Sequence, residues 1–134
     1  MKPFITAIIA SALATTSTIA CAEVAVIINA GSSAAPSQSD VANIFLGKDA
    51  SLRGIDQKGW NEAKETFYSK LTNKSESQLK SYWSALVFTG KGQPLQGVDD
   101  DASVVEMVGR EANVIGYVDK ATINNKVKVL FTLP

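Results

Sequence analysis

Val24-Ala25-Val26-Ile27-Ile28 is an unbroken apolar run closed by Asn29-Ala30-Gly31. A strand with one wet face alternates apolar and polar side chains, so this run describes a strand covered on both faces, as in α/β sheets. The need for helices on both sides organises the rest of the chain. Ser37 and Asp40 stand three apart as an acidic capping box, Val41, Ile44 and Phe45 share one helical face, and Gly47 supplies the stop. A short strand over residues 52–55 leads through Asp56-Gln57-Lys58-Gly59 into a second helix carrying Trp60, Ala63, Phe67 and Leu71. Ser75 and Gln78 form another capping box, followed by a helical stripe of Leu79, Tyr82, Trp83, Leu86 and Val87. A Gly/Pro-containing loop over residues 89–97 precedes a helix capped by Asp100 or Asp101, and residues 114–118 and 127–131 close the chain as strands. Strands alternating with helices predict an α/β fold with a mainly parallel sheet flanked by helices.

With 134 residues and no repeat or long linker, residues 23–134 read as one domain. The 13 basic residues balance the 13 acidic ones and are scattered singly, which argues against a nucleic-acid partner. Catalytic chemistry is poorly served: there is no histidine, the single cysteine lies near the N-terminus, and no pair of carboxylates has acid/base spacing. The chain therefore reads as a non-enzyme with no catalytic residues and no cofactor. Thr89-Gly90-Lys91-Gly92 lacks the leading glycine spacing and the Ser/Thr of a phosphate-cradling loop, and it follows a helix. Asp99-Asp100-Asp101 lacks the alternating pattern of a calcium loop and is accounted for by helix capping, so no metal site is expected.

Residues 1–22 read as a signal peptide: Lys2 brings positive charge, an apolar stretch begins at Phe4, and Ala20-Cys21-Ala22 offers a small-x-small cleavage site. The stretch is too short and too broken by Thr15-Thr16-Ser17-Thr18 to span a bilayer, which needs about 20 residues. A periplasmic protein beginning at Glu23 follows. A lipoprotein anchored at Cys21 is the lesser reading, because Thr18 stands where that signal usually carries Leu.

Three stretches carry a resemblance: Ile44-Phe45-Leu46-Gly47-Lys48, Tyr82-Trp83-Ser84-Ala85-Leu86-Val87-Phe88-Thr89-Gly90, and Val114-Ile115-Gly116-Tyr117-Val118. In that order they resemble the periplasmic phosphate-binding proteins of ABC transporters, and they span only one lobe of them. The resemblance implies a single lobe of a type II periplasmic binding protein-like fold. It also implies an oxyanion site at the corner between the second strand and its helix, where the family pattern is Arg-x-Asp-x-Ser-Gly-Thr. Aligned on the glycine, Asp56 and Gly59 match that pattern, while Gly54, Lys58 and Trp60 replace its Arg, Ser and Thr. Arg53 faces the other side of the strand from the expected Arg. Tyr117 is the penultimate residue of the third motif, where its hydroxyl is a candidate for the cleft and its ring a candidate for the core.

The loop Gly31-Ser32-Ser33 is a second candidate corner, since a small-residue turn after a strand exposes amides and hydroxyls to an anion. In a parallel sheet both corners lie at the carboxyl ends of neighbouring strands, where ligands of α/β folds bind. The candidate anion-binding set is thus Gly31, Ser32, Ser33, Asp56, Lys58, Gly59, Trp60 and Tyr117. Two functions follow. One is weak binding of phosphate or a similar oxyanion by an exported solute-binding protein. The other is a non-catalytic interaction domain that has lost its anion site and docks on an envelope protein or on itself, with Trp60 as an anchor.

Overall fold

The computed structural model describes residues 23–134, so the signal-peptide and Cys21 readings lie outside the described residues. Nine main elements follow in order: β1 (Val24–Asn29), α1 (Gln38–Phe45), β2 (Arg53–Gln57), α2 (Glu62–Thr72), α3 (Glu76–Phe88), β3 (Gln96–Val98), α4 (Asp101–Arg110), β4 (Val114–Asp119) and β5 (Val127–Leu133). They form an α/β lobe around one sheet of order β3-β2-β4-β1-β5. No helix among the described residues is long and apolar enough to cross a membrane.

The unbroken run of β1 serves two cores. Val24, Val26 and Ile28 face a cluster built with Val41, Ile44 and Phe45 of α1, Phe67 and Tyr68 of α2, and Leu79 of α3. Ala25 and Ile27 face the opposite cluster, which contains Val104, Val105 and Val108 of α4. Both expected capping boxes are present, at Ser37/Asp40 and Ser75/Gln78. Asp100 caps α4, and Gly47 ends α1 at a φ of 76°, a left-handed conformation suited to glycine.

Four departures from the sequence reading matter. β2 pairs in parallel with β3 and β4, but β1 is antiparallel to both of its neighbours, β4 and β5. Strands β2 to β5 thus share one direction and β1 alone opposes them, giving a mixed sheet. A doubly buried apolar run satisfies either ladder and carries no signal of direction. The second departure follows from the first: the two candidate corners lie at opposite ends of the strands. Ile28 at the end of β1 sits beside Ile115 near the start of β4, whereas β2 runs alongside β4 towards its carboxyl end. The expected convergence of Gly31-Ser32-Ser33 with residues 56–60 is absent.

Third, β3 occupies part of the expected 89–97 loop; its three residues are too few to show a pattern in the sequence. Fourth, α3 forms as expected, but only Leu79 of its apolar stripe is buried. Tyr82, Trp83 and Leu86 are half-buried, Val87 is 49% exposed and Phe88 is 92% exposed. The helix runs past the body it packs against, and helical periodicity cannot tell a covered stripe from an uncovered one.

Gly116 shows how tightly α4 lies on the sheet. A Cβ there would stand 2.5 Å from Val104 Cγ1 and 3.3 Å from Val108 Cγ2. Gly116→Ala should therefore push α4 off β4 and lower the unfolding free energy by about 1–3 kcal/mol, read as a reduced urea midpoint.

Candidate functional site

The loop after β1 is closed upon itself. The Asn29 side chain accepts from the Gly31 amide at 2.8 Å and donates to the carbonyls of Val108 and Gly109 at 3.0 and 3.1 Å. The Ser32 amide donates to Asn29 O at 2.9 Å and the Ala34 amide to Ser32 Oγ at 3.2 Å. Gly31, Ser32 and Ser33 thus line a turn that stitches β1 to the carboxyl end of α4, where the helix dipole is negative. The amides of Gly31, Ser32 and Ala34 are thereby engaged within the turn.

The corner after β2 is built differently. Asp56 points its carboxylate back under the loop, where Tyr68 donates a hydroxyl hydrogen bond at 2.8 Å and Tyr117 donates a second. The Gln57 amide donates a third, at 2.8 Å. Tyr117 belongs to the core: it is fully buried and stacks on Phe67 with ring centroids 4.2 Å apart. Its hydroxyl reaches the corner through Asp56 and through the Gln57 amide, which donates to it at 3.3 Å. Burial, and then the nearby Asp56 charge, push both the Tyr117 and Tyr68 hydroxyls well above the ordinary tyrosine value of 10.

Gln57, 1% exposed, locks the corner to the rest of the lobe. Its Nε2 donates to Asp101 Oδ1 at 2.5 Å and to Tyr117 O at 3.2 Å, and its Oε1 accepts from Asn61 Nδ2. Asn61 in turn caps α2 by accepting from the Lys64 amide at 2.8 Å, so the helix begins after Trp60 instead of including it. Lys64 was not among the candidates, yet it is the most constrained cation of the corner. Its Nζ donates to Gln57 O at 2.7 Å, lies 3.6 Å from Asp56 Oδ2 and sits 5.6 Å from the Trp60 ring centroid. Its side chain is only 12% exposed. Spacing along the sequence gives no signal for it, because Trp60 precedes the helix that carries Lys64 and the two meet only through the turn at Asn61.

A cleft of about 500 Å³ opens between this corner and α3. Asp56, Lys58 and Trp60 line it as the sequence suggested, and Gly59 is exposed beside them with open space around its Cβ position. Lys64, Lys80 and Glu76 add charge, while Leu79, Trp83 and Leu95 add apolar wall. Lys58 pairs with Asp99 at 3.4 Å and Lys80 with Glu76 at 3.2 Å, all at exposed positions or near them. Trp60 stacks on Tyr68, with centroids 6.2 Å apart and planes inclined by 20°. Arg53 turns away from the cleft to pair with Glu111 at 2.5 Å. Asp101 is taken by Gln57 and the Asp119 amide, and no group of three metal-ligating side chains occurs among the described residues.

No family model matches the sequence, and no curated protein matches it. Solved structures do. One, from Clostridium perfringens, is described as a phosphate ABC transporter substrate-binding protein with bound phosphate. It superposes with a TM-score of 0.58 at 15% identity, over 81% of this chain and 45% of that one. An ABC-type phosphate transport receptor from Vibrio cholerae gives a TM-score of 0.60 at 11% identity, over 81% of this chain and 46% of that one. The chain has the single-lobe α/β fold of these substrate-binding proteins. It spans less than half the length of either, and at these identities the likeness is one of fold.

Two predictions test the corner. Asp56→Asn leaves two buried hydroxyls and one amide sharing a weaker acceptor, and should lower the unfolding free energy by about 1.5–3 kcal/mol. The raised tyrosine values set the sign of the alkaline response. Below about pH 10 both folded and unfolded chains keep the phenolic protons; above it the unfolded chain releases them while Tyr68 and Tyr117 hold theirs. Stability should thus fall as pH rises from about 9 to about 11, with tyrosinate absorbance at these two residues appearing only on unfolding.

Proposed function

We propose that this chain is an exported, non-catalytic solute-binding lobe that holds phosphate or a similar oxyanion weakly in the cleft at the β2–α2 corner. The observation that carries the reading is the fixed ammonium of Lys64. Asp56, the Gln57 carbonyl and Trp60 position it at the cleft wall, and an ammonium has three donors, of which Gln57 O takes one. Lys58 and Lys80 stand on the same cleft as further cations. A charge held in place at a partly desolvated wall attracts an anion without the ordering cost of a free lysine.

The binding is weak for reasons visible in the same residues. Gly54, Lys58 and Trp60 stand where the resemblance implies an Arg and two hydroxyls, so bidentate charge-assisted contacts are missing. Asn61 takes one of the first amides of α2, and Glu62 and Glu65 place negative charge in its first turn. The β1 loop is left out of the site because its amides serve Asn29 and Ser32. The fold of substrate-binding proteins supports a carrier or sensor of solutes in place of an enzyme.

A second reading rests on α3. Phe88 at 92% and Val87 at 49% exposure give an apolar helix end suited to docking on an envelope protein or on a second copy. Calorimetry and amide-shift titration of residues 23–134 separate the two. The first reading expects millimolar phosphate binding, near −4 kcal/mol, with shifts at Lys58, Trp60 and Lys64 that Lys64→Met removes. No shift at these residues would refute it, and micromolar affinity would refute weakness. The second expects concentration-dependent sedimentation or partner capture that Phe88→Ser abolishes.

A further inference from the structure

The cleft is larger and more apolar than a bare oxyanion fills. Its volume of about 500 Å³ falls in the range of sites for small organic ligands, roughly 300–1,000 Å³. A tetrahedral oxyanion displaces only the space of two or three waters, about 30 Å³ each, and leaves the rest of the cleft wet. Much of what would remain uncovered is apolar: Trp60, Leu79, Trp83, Pro94 and Leu95 line the same cavity as the three lysines. The aromatic part is also braced. Trp60 lies nearly parallel to Tyr68, whose hydroxyl is tied to Asp56, and the Trp83 ring abuts Gly47, where a Cβ would stand 3.0 Å from its Cη2. A rigid aromatic wall loses little freedom when a ligand covers it.

The charge balance points the same way. Asp56 and Glu76 line the cleft beside Lys58, Lys64 and Lys80, so the excess of positive charge is small. A bare oxyanion with no apolar body needs many convergent donors to offset its lost hydration, and the corner provides one fixed ammonium beside Asp56 and two lysines paired to Asp99 and Glu76. A ligand with one anionic group and a flat apolar body meets both halves of the site, because apolar burial then supplies affinity that charge cannot.

We propose that the cleft takes an organic anion, an aryl or similarly flat apolar body bearing a single phosphate or carboxylate group. The anionic group lies at Lys64 and the ring lies between Trp60 and Trp83. The proposal rests on the cleft being an anion site. The test compares inorganic phosphate, 1-naphthyl phosphate, 1-naphthoate and uncharged 1-naphthol on residues 23–134, by tryptophan fluorescence and amide-shift mapping. Expected is binding of the two naphthyl anions at least about tenfold tighter than inorganic phosphate and than naphthol, with shifts at Trp60, Lys64 and Trp83. Trp83→Ala should bring the naphthyl-to-phosphate ratio down severalfold, and Lys64→Met should weaken both anions. If phosphate binds and the naphthyl anions are no better, this inference falls while the weak-oxyanion reading stands. If naphthol binds as tightly as its phosphate, or if none of the four binds, the anion site itself falls with it. Shift mapping on the unsubstituted protein keeps the test decisive where a variant fails to fold.

Discussion

One carboxylate holds the cleft end of this lobe together. Asp56 ends its hydrogen bonds on Tyr68 from α2 and Tyr117 from β4, and its charge steadies Lys64. Gln57, the next residue, extends the link to Asp101 of α4 and to Asn61, the cap of α2. Five side chains, from α2, its cap, β4 and α4, thus converge on two consecutive residues of one strand. A buried polar network of this kind is stable only when every member is satisfied, and no buried side-chain polar atom among the described residues lacks a partner. The same network that fixes the fold also decides where the cation of the cleft stands.

Much of this lobe is legible in the sequence, because local chemistry and global fold agree. Two capping boxes, the doubly apolar β1 and the glycine that ends α1 are each written in a few adjacent residues. Gly116 is legible as a packing glycine, although only the 2.5 Å approach of Val104 shows how strictly a side chain is excluded. What the residues do not encode locally is direction. Reversal of β1 depends on which strands it lies between, a relation of chain segments far apart in sequence, and it separates two corners that a parallel reading would unite.

The site was half visible for a related reason. Asp56, Lys58, Gly59 and Trp60 are adjacent, and a motif can find them. Lys64, Trp83 and Leu95 reach the cleft from a helix face, a second helix and a loop before an edge strand, and no spacing rule connects all three. Of the two readings of Tyr117, the structure shows the core one for its ring, with the hydroxyl bracing a carboxylate beneath the cleft. The buried tyrosines stay protonated, so they serve Asp56 as donors throughout the neutral range.

The placement of α3 has a consequence for how the cleft behaves in time. This helix forms one wall, yet it rests on the body through Leu79, Tyr82 and Trp83 near its first half, with the Tyr82 hydroxyl bonded to Leu46 O at 2.6 Å. Its far end carries little burial, and the chain leaves it through Gly90 and Gly92. Elements with few buried contacts open at lower free energy than the core they lean on. The first half of α3 and the corner beneath Asp56 are thereby fixed walls facing each other, and the local opening that sparse burial favours falls at Val87 and Phe88, beyond the residues that line the cavity.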